Sequence, residues 1–247
     1  MIRFIITALF LLVFGIVSIP MLLIEWVIGK ISPKAQLVSS FRFVQGTCWV
    51  VLFLCGALPK VKGKENIPAD APVLYVANHR SIFDIPVTLV LSPGPLCFIA
   101  KKELKKIPIL YQWFLFMQGE FLDRKDLKQG MQVIRNATQK IENGLPVFVF
   151  PEGTRGTAED ESELLEFHEG SFRVAVRSGC PIVPISICNA REIFEAHLPW
   201  PKKTHVVVEY GTPIETKGLD RQEQKTLGAK SRGIISETLK RNAVAPR

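Results

Sequence analysis

Hydrophobic and polar positions are distributed very unevenly along this chain. From Phe4 to Ile24 there is no charged residue, and a second uncharged run covers Phe43 to Pro59. At a rise of about 1.5 Å per residue, the first run is long enough for a helix that crosses or enters a hydrocarbon layer. Its apolar core is too long for a signal peptide, and no small-x-small cleavage site follows it. Pro20 sits inside the run and predicts a kink or break there. Pro59 to Asp70 is rich in lysine and proline and reads as a polar linker. It divides an apolar two-helix segment, residues 1–58, from a domain formed by residues 59–247.

Beyond the linker the period changes. Val73–Ala77, Leu96–Ala100, Gly119–Arg124, Leu145–Phe150, Ile182–Cys188 and His205–Tyr210 are short runs that read as strands. Helix is predicted from about Asp84, where Pro86 is tolerated in the first turn, and again over Phe172–Arg177. Leu127, Met131, Ile134, Thr138 and Ile141 recur at spacings of three and four before Asn143-Gly144, which marks another helix and its end. From Lys217 onward the pattern is a polar scaffold helix. This alternation predicts an α/β domain, a largely parallel mixed sheet flanked by helices. Ile107 to Met117 is apolar and aromatic, suited to core packing or to a surface that lipid chains touch. Glu159 to Glu166 reads as a solvated acidic loop or helix start.

Composition narrows the partners. The 247 residues carry a formal charge of +8 and are 47% hydrophobic. A basic, apolar chain suits nucleic acid or an anionic membrane surface. There is no zinc-finger spacing and no arginine-rich arm with interleaved aromatics, so membrane phospholipids are the expected partner and nucleic acid is not. Arg3, Lys30, Lys34, Arg42, Lys60, Lys62 and Lys64 flank every apolar boundary, which leaves the positive-inside rule little asymmetry to act on. Two helices dipping into one leaflet would keep these cations near the same headgroups. The five cysteines form no CxxC pair and suit reduced thiols in a cytosol-facing protein, which places the domain on the cytoplasmic face. The four histidines show no metal-ligand spacing, and no metal is expected.

The candidate chemistry starts at His79, with Asp84 five residues later, just past an apolar run. A carboxylate at that distance can fix the ring tautomer and stabilise the imidazolium formed when the ring takes a proton. The predicted strand and helix put His79 on a strand-to-helix turn, where open α/β sheets bind ligands. A run from Lys101 to Lys106 (interrupted by Glu103 and Leu104) leaves a second strand, so one lysine can turn towards a substrate anion. Pro151-Glu152-Gly153-Thr154-Arg155-Gly156 leaves a third strand. Its glycines allow backbone N–H groups to approach an anion, and Arg155 can fork onto phosphate.

Four blocks in order give this chain a family resemblance. Asn78-His79-Arg80-Ser81-Ile82-Phe83-Asp84, Gly119-Glu120-Phe121-Leu122-Asp123-Arg124, Phe150-Pro151-Glu152-Gly153-Thr154-Arg155 and Ile182-Val183-Pro184-Ile185 together resemble the glycerolipid acyltransferase superfamily. Within it they are most similar to the 1-acyl-sn-glycerol-3-phosphate acyltransferases. Lys101 fits a lysine the family carries, and the N-terminal segment fits its membrane-dipping helix pair. Two positions depart from the pattern. His168 stands where the family often has lysine, and Gly156 where it usually has serine.

The resemblance implies transfer of an acyl group from acyl-CoA or acyl-carrier protein to the sn-2 hydroxyl of lysophosphatidic acid. No cofactor is implied, because the thioester is a co-substrate. His79 would be the general base and Asp84 its orienting partner. Lys101, Arg124, Glu152, Gly153, Thr154 and Arg155 would contact substrate. Arg124 and Arg155 suit the acceptor phosphate, Lys101 or the backbone near Gly153 the oxyanion, and Glu152 the loop or Arg155. Another lysophospholipid or glycerol-3-phosphate is an alternative acceptor. Ser81 is not expected to be a nucleophile, because the acceptor brings its own hydroxyl. A hydrolase would usually show a GxSxG elbow, which is absent, and a purely lipid-binding module has no need of the His79–Asp84 pair.

Overall fold

The computed structural model describes residues 1–243. Two long helices open the chain, α1 (Ile2–Ile31) and α2 (Pro33–Cys55). Pro20 does not break α1, which runs through it. Ser32 alone separates the two helices, and its hydroxyl caps α2 by accepting from Ala35 N at 3.2 Å. The turn end is tied by polar groups. The Ser39 hydroxyl donates to the buried Glu25 carboxylate at 2.7 Å, and the Gln36 amide to the Glu25 carbonyl at 2.8 Å. A satisfied polar clasp of this kind keeps an otherwise apolar hairpin in one register.

The rest is a seven-stranded sheet built from β1 (Ala57–Lys62), β2 (Leu74–Ala77), β3 (Cys97–Lys101), β4 (Glu120–Leu122), β5 (Val147–Val149), β6 (Ile182–Cys188) and β7 (Thr204–Tyr210). Its order is β1-β7-β6-β2-β5-β3-β4, parallel throughout except between β6 and β7. The helices α3 (Asp84–Leu91), α4 (Pro108–Phe116), α5 (Leu127–Glu142), α6 (Arg173–Ser178) and α7 (Arg221–Ala243) complete the layers. The expected α/β class, with a mostly parallel sheet behind two apolar helices, is the observed architecture.

Both faces of the sheet are covered, so its central strands are buried along their whole length. On one face α2 and α3 contribute Phe41, Leu52, Val87 and Leu89 beside Tyr75, Phe98 and Phe148. On the other, Ala137, Ile141, Val174, Leu227, Ile235 and Leu239 of α5, α6 and α7 close over Leu74, Val76, Val147 and Ile182.

Three expectations need correction. Pro59–Lys62 is not linker. It is most of the edge strand β1, paired in parallel with β7, and an edge tolerates Pro59, Lys60 and Lys62. In α5 the sheet-facing side chains are Val133, Ala137, Thr138 and Ile141, while Leu127 and Met131 are exposed. The start of the helix is held against β4 through Gln129 and Gly130, and Leu127 and Met131 lie off that buried face. The acidic stretch is also less solvated than its charge suggests. Leu164 is buried, Ser236 Oγ donates to Ser162 O at 2.8 Å, and the Arg232 guanidinium caps the Leu164 carbonyl.

Candidate active site

Sheet order explains how distant blocks meet. Strands β2, β5, β3 and β4 are consecutive neighbours and all parallel, so their carboxyl ends lie on one edge. His79 follows β2, the Pro151–Arg155 loop follows β5, Lys101 ends β3 and Arg124 follows β4. The chain's charged motifs are thereby gathered where a parallel sheet offers a ligand crevice.

His79 Nδ1 lies 2.7 Å from Asp84 Oδ2. The same oxygen accepts the backbone N–H groups of Arg80 at 2.7 Å and Ser81 at 2.8 Å. Asp84 is the first residue of α3 and its side chain is 1% exposed, so N–H groups of the turn just before the helix hold a carboxylate that solvent does not reach. The imidazole is 17% exposed and stacks on Phe150, centroids 4.2 Å apart and planes 20° from parallel. With Nδ1 committed to Asp84, Nε2 is the ring nitrogen left to exchange a proton.

The turn that carries His79 is braced from three directions. Asn78 grips Ile187 of β6 with both amide atoms, at 2.9 and 2.8 Å. Glu152 accepts His79 N at 2.7 Å through one oxygen and Leu165 N at 2.9 Å through the other. The His79 carbonyl accepts Gly156 N at 2.8 Å. Glu152, expected among the substrate contacts, is 3% exposed with both oxygens engaged and stands behind the site as a positioning residue. Burial raises its pKa, and the two backbone donors pull it back down. Glu152→Ala would leave two N–H groups without an acceptor, and a loss of about 2–5 kcal/mol of stability is expected. Denaturant unfolding of the purified variant checks this; a change under about 0.5 kcal/mol would dismiss the brace.

Ser81 is also committed. Its hydroxyl donates to Glu195 Oε2 at 2.8 Å, and Ile82 N donates to Oε1 at 2.7 Å. Arg155 pairs with the same Oε1 at 3.4 Å. Glu195 was not foreseen, because nothing in its local sequence marks it. Asn78 and Phe150 lie inside the motif blocks, but only the fold shows what they do. Buried Arg80 is spent on the loop after β5, donating to the carbonyls of Ala158 and Asp160.

A second group of cations lies at the rim. Arg124 packs its guanidinium against Gly153, whose φ is +72°, and a Cβ there would sit 2.7 Å from Arg124 Cζ. Only glycine permits both the left-handed backbone and the close approach. Lys101 Nζ lies 3.4 Å from Thr154 Oγ1. Partial desolvation, then the Arg124 charge, lowers the Lys101 pKa, and desolvation lowers that of Arg124. Asp123 gives Arg124 no relief, since it pairs with Lys102 at 2.5 Å. Among the described residues neither Lys101 nor Arg124 has an acidic partner within ion-pair distance. Gly153 N is spent on Phe150 O at 3.0 Å and is not a free oxyanion donor.

A buried carboxylate–imidazole pair beside unpaired cations, on the carboxyl edge of a parallel sheet, fits an acyltransferase that works on an anionic acceptor. The chain belongs to the Acyltransferase family, whose sequence profile matches residues 59–188. It is 29% identical over 209 residues to the 1-acyl-sn-glycerol-3-phosphate acyltransferase of Saccharomyces cerevisiae, covering 83% of this chain and 68% of the yeast protein. It is 25% identical to the Borreliella burgdorferi protein of the same name, covering 81% of this chain and 79% of the relative. A Chlamydomonas reinhardtii relative with that enzyme name is 36% identical, but the match spans only 37% of its length and 51% of this chain. The crystal structure of the 1-acyl-sn-glycerophosphate acyltransferase PlsC from Thermotoga maritima superposes with a TM-score of 0.78 at 26% identity, covering 100% of this chain and 98% of that one. The resemblance expected from the four blocks is what these comparisons find.

Proposed function

We propose that this enzyme moves a fatty acyl group from acyl-CoA or acyl-carrier protein to the sn-2 hydroxyl of lysophosphatidic acid, giving phosphatidic acid. The observation that carries the reading is the juxtaposition of the 2.7 Å His79–Asp84 pair with unpaired Lys101 and Arg124. The acceptor hydroxyl gives its proton to His79 Nε2 as its oxygen attacks the thioester carbonyl carbon. Asp84 holds the resulting imidazolium, while Lys101 faces the oxyanion. Collapse breaks the C–S bond, and the departing thiolate takes the proton back from His79. No acyl-enzyme forms, in keeping with a Ser81 hydroxyl held by Glu195. The Arg124 guanidinium, with Arg155 beside it, suits the acceptor phosphate. An apolar cavity of about 240 Å³ lies against Ile82 and Phe83, walled also by Phe4, Ala8 and Leu11 of α1, and offers room for part of an acyl chain.

The decisive assay offers labelled acyl thioester with lysophosphatidate, glycerol-3-phosphate and lysophosphatidylcholine side by side in mixed micelles. Product from lysophosphatidate in clear excess is expected. Preference for another acceptor would overturn the substrate and retain the chemistry.

The reading includes a membrane. Ile5, Leu9, Leu12, Ile16, Ile19 and Leu23 recur every three or four residues along α1, and all are exposed. In water such a stripe is costly, and in lipid it is favourable. α2 is docked to the domain half-way along its length, with Gln45 donating to Leu89 O at 2.8 Å and Ser92 O at 3.0 Å. A α2 that spanned the bilayer would drag the end of α3 inside. This supports two helices lying in the cytoplasmic leaflet over spans. Phe41, Leu52 and Cys55 belong to the core, so removing residues 1–58 would open it. Substitution is the cleaner test. Lysines at Leu12, Ile16 and Ile19 together should release the chain from vesicles on sedimentation, at about 2.5–3.5 kcal/mol per buried lysine. Undiminished binding would refute the anchor.

A further inference from the structure

We propose that a cleft on the far side of α3 binds an anionic glycerophospholipid of the leaflet, separately from acyl transfer. Arg42, Gln45, Gly46 and Trp49 occupy spacings of three, four and seven on α2 and form one wall. The opposite wall is the β1–β2 connector, with Lys64 and Ile67, and the floor runs to the end of α3. Together they enclose about 800 Å³. The His79–Asp84 pair is at the other end of α3, roughly 10 Å along its axis.

Three observations specify the ligand. The lining contains two cations and no carboxylate; Glu65 and Asp70 of the same connector are not part of it. Arg42 is pre-set at the rim, donating to Gln45 Oε1 at 2.7 Å and Pro93 O at 3.3 Å, with further N–H groups free for an anion. The rest of the lining is largely apolar, and exposed Trp49 stacks on exposed Phe53 at 5.5 Å, carrying an apolar track along α2. A bare anion would use only the cations, and a zwitterionic headgroup would bring a cation back to Arg42 and Lys64. An anionic headgroup with acyl chains matches both halves, and α2 belongs to the hairpin read here as lying in lipid. The cleft is open in front of Gly46, where an added Cβ meets nothing within 4 Å.

The test uses the full-length delipidated chain in zwitterionic detergent, titrated with dihexanoyl phosphatidylglycerol, dihexanoyl phosphatidylcholine or inorganic phosphate while thermal unfolding is followed. Phosphatidylglycerol should raise the midpoint, and the other two should not. Lys64→Glu should weaken that binding about tenfold or more, as loss of a charge-assisted contact does. Gly46→Phe fills the cleft and retains both cations, and should abolish the effect. Lys64→Glu, on an exposed connector, carries the test alone should Gly46→Phe unfold. Arg124→Ala should bind phosphatidylglycerol normally, which separates this cleft from the acceptor site. Equal stabilisation of the wild type and both cleft variants overturns the proposal. So does loss of binding in Arg124→Ala alone, or a phosphate effect equal to that of the lipid.

Discussion

His79→Ala should reduce acyl transfer by about 10²–10⁴-fold, the range over which a positioned general base acts. The variant should still fold and still sediment with vesicles, because what holds the turn is not the ring. His79 donates its backbone N–H to Glu152 and its carbonyl accepts from Gly156, and neither bond involves the side chain. The ring's own contacts are Asp84 and Phe150. Removing it leaves Asp84 with the Arg80 and Ser81 N–H donors of the turn before α3, so the carboxylate is not stranded. Single-turnover rates with circular dichroism on the same sample check both halves. Transfer within tenfold of wild type would remove His79 as the base.

Arg124→Ala should raise KM for lysophosphatidate by roughly 10- to 100-fold while kcat changes little, since a charged hydrogen bond to phosphate contributes to ground state and transition state alike. Arg124→Lys should recover part of the loss, limited by the missing planar fork. The structure makes the variant safe to read. Among the described residues Arg124 carries no ion pair, and Asp123 is already held by Lys102 and by Lys125 N at 3.0 Å, so truncation strands no partner there. An unchanged KM would move the phosphate elsewhere, with Arg155 the next candidate. Arg155 is the weaker one in this geometry, because Glu195 already partly neutralises it.

Much of this site was legible in sequence because its residues sit at strand ends that local pattern already marks. The apolar run into His79, the helix beginning at Asp84 and the glycine loop after β5 were all readable over a few residues. What failed needed knowledge of a distant partner. Pro59 and its lysines look like linker until β7 is seen beside them. Leu127 and Met131 share the spacing of a buried face, and only the docking of Gln129 and Val133 against the domain shows that they lie off it. Glu152 lies in the most recognisable loop of the chain, yet its role as a brace depends on Leu165 and on the His79 backbone. Glu195 is invisible for the same reason, since its meaning lies in Ser81, Ile82 and Arg155.

The pairing of β1 with β7 has a consequence for how the molecule is made. Synthesis proceeds from the N-terminus, so α1 and α2 emerge first and can settle in lipid while most of the sheet is still unwritten. The strand directly after α2 then waits for a partner that begins only at Thr204. A contact that distant closes slowly, because bringing together the ends of so long a loop costs chain entropy before the pairing offsets it. If the hairpin lies in lipid as proposed, the membrane surface is where this enzyme finishes folding. A ribosome stalled before Thr204 should hold a chain that is already lipid-bound but still open to protease at residues 57–62.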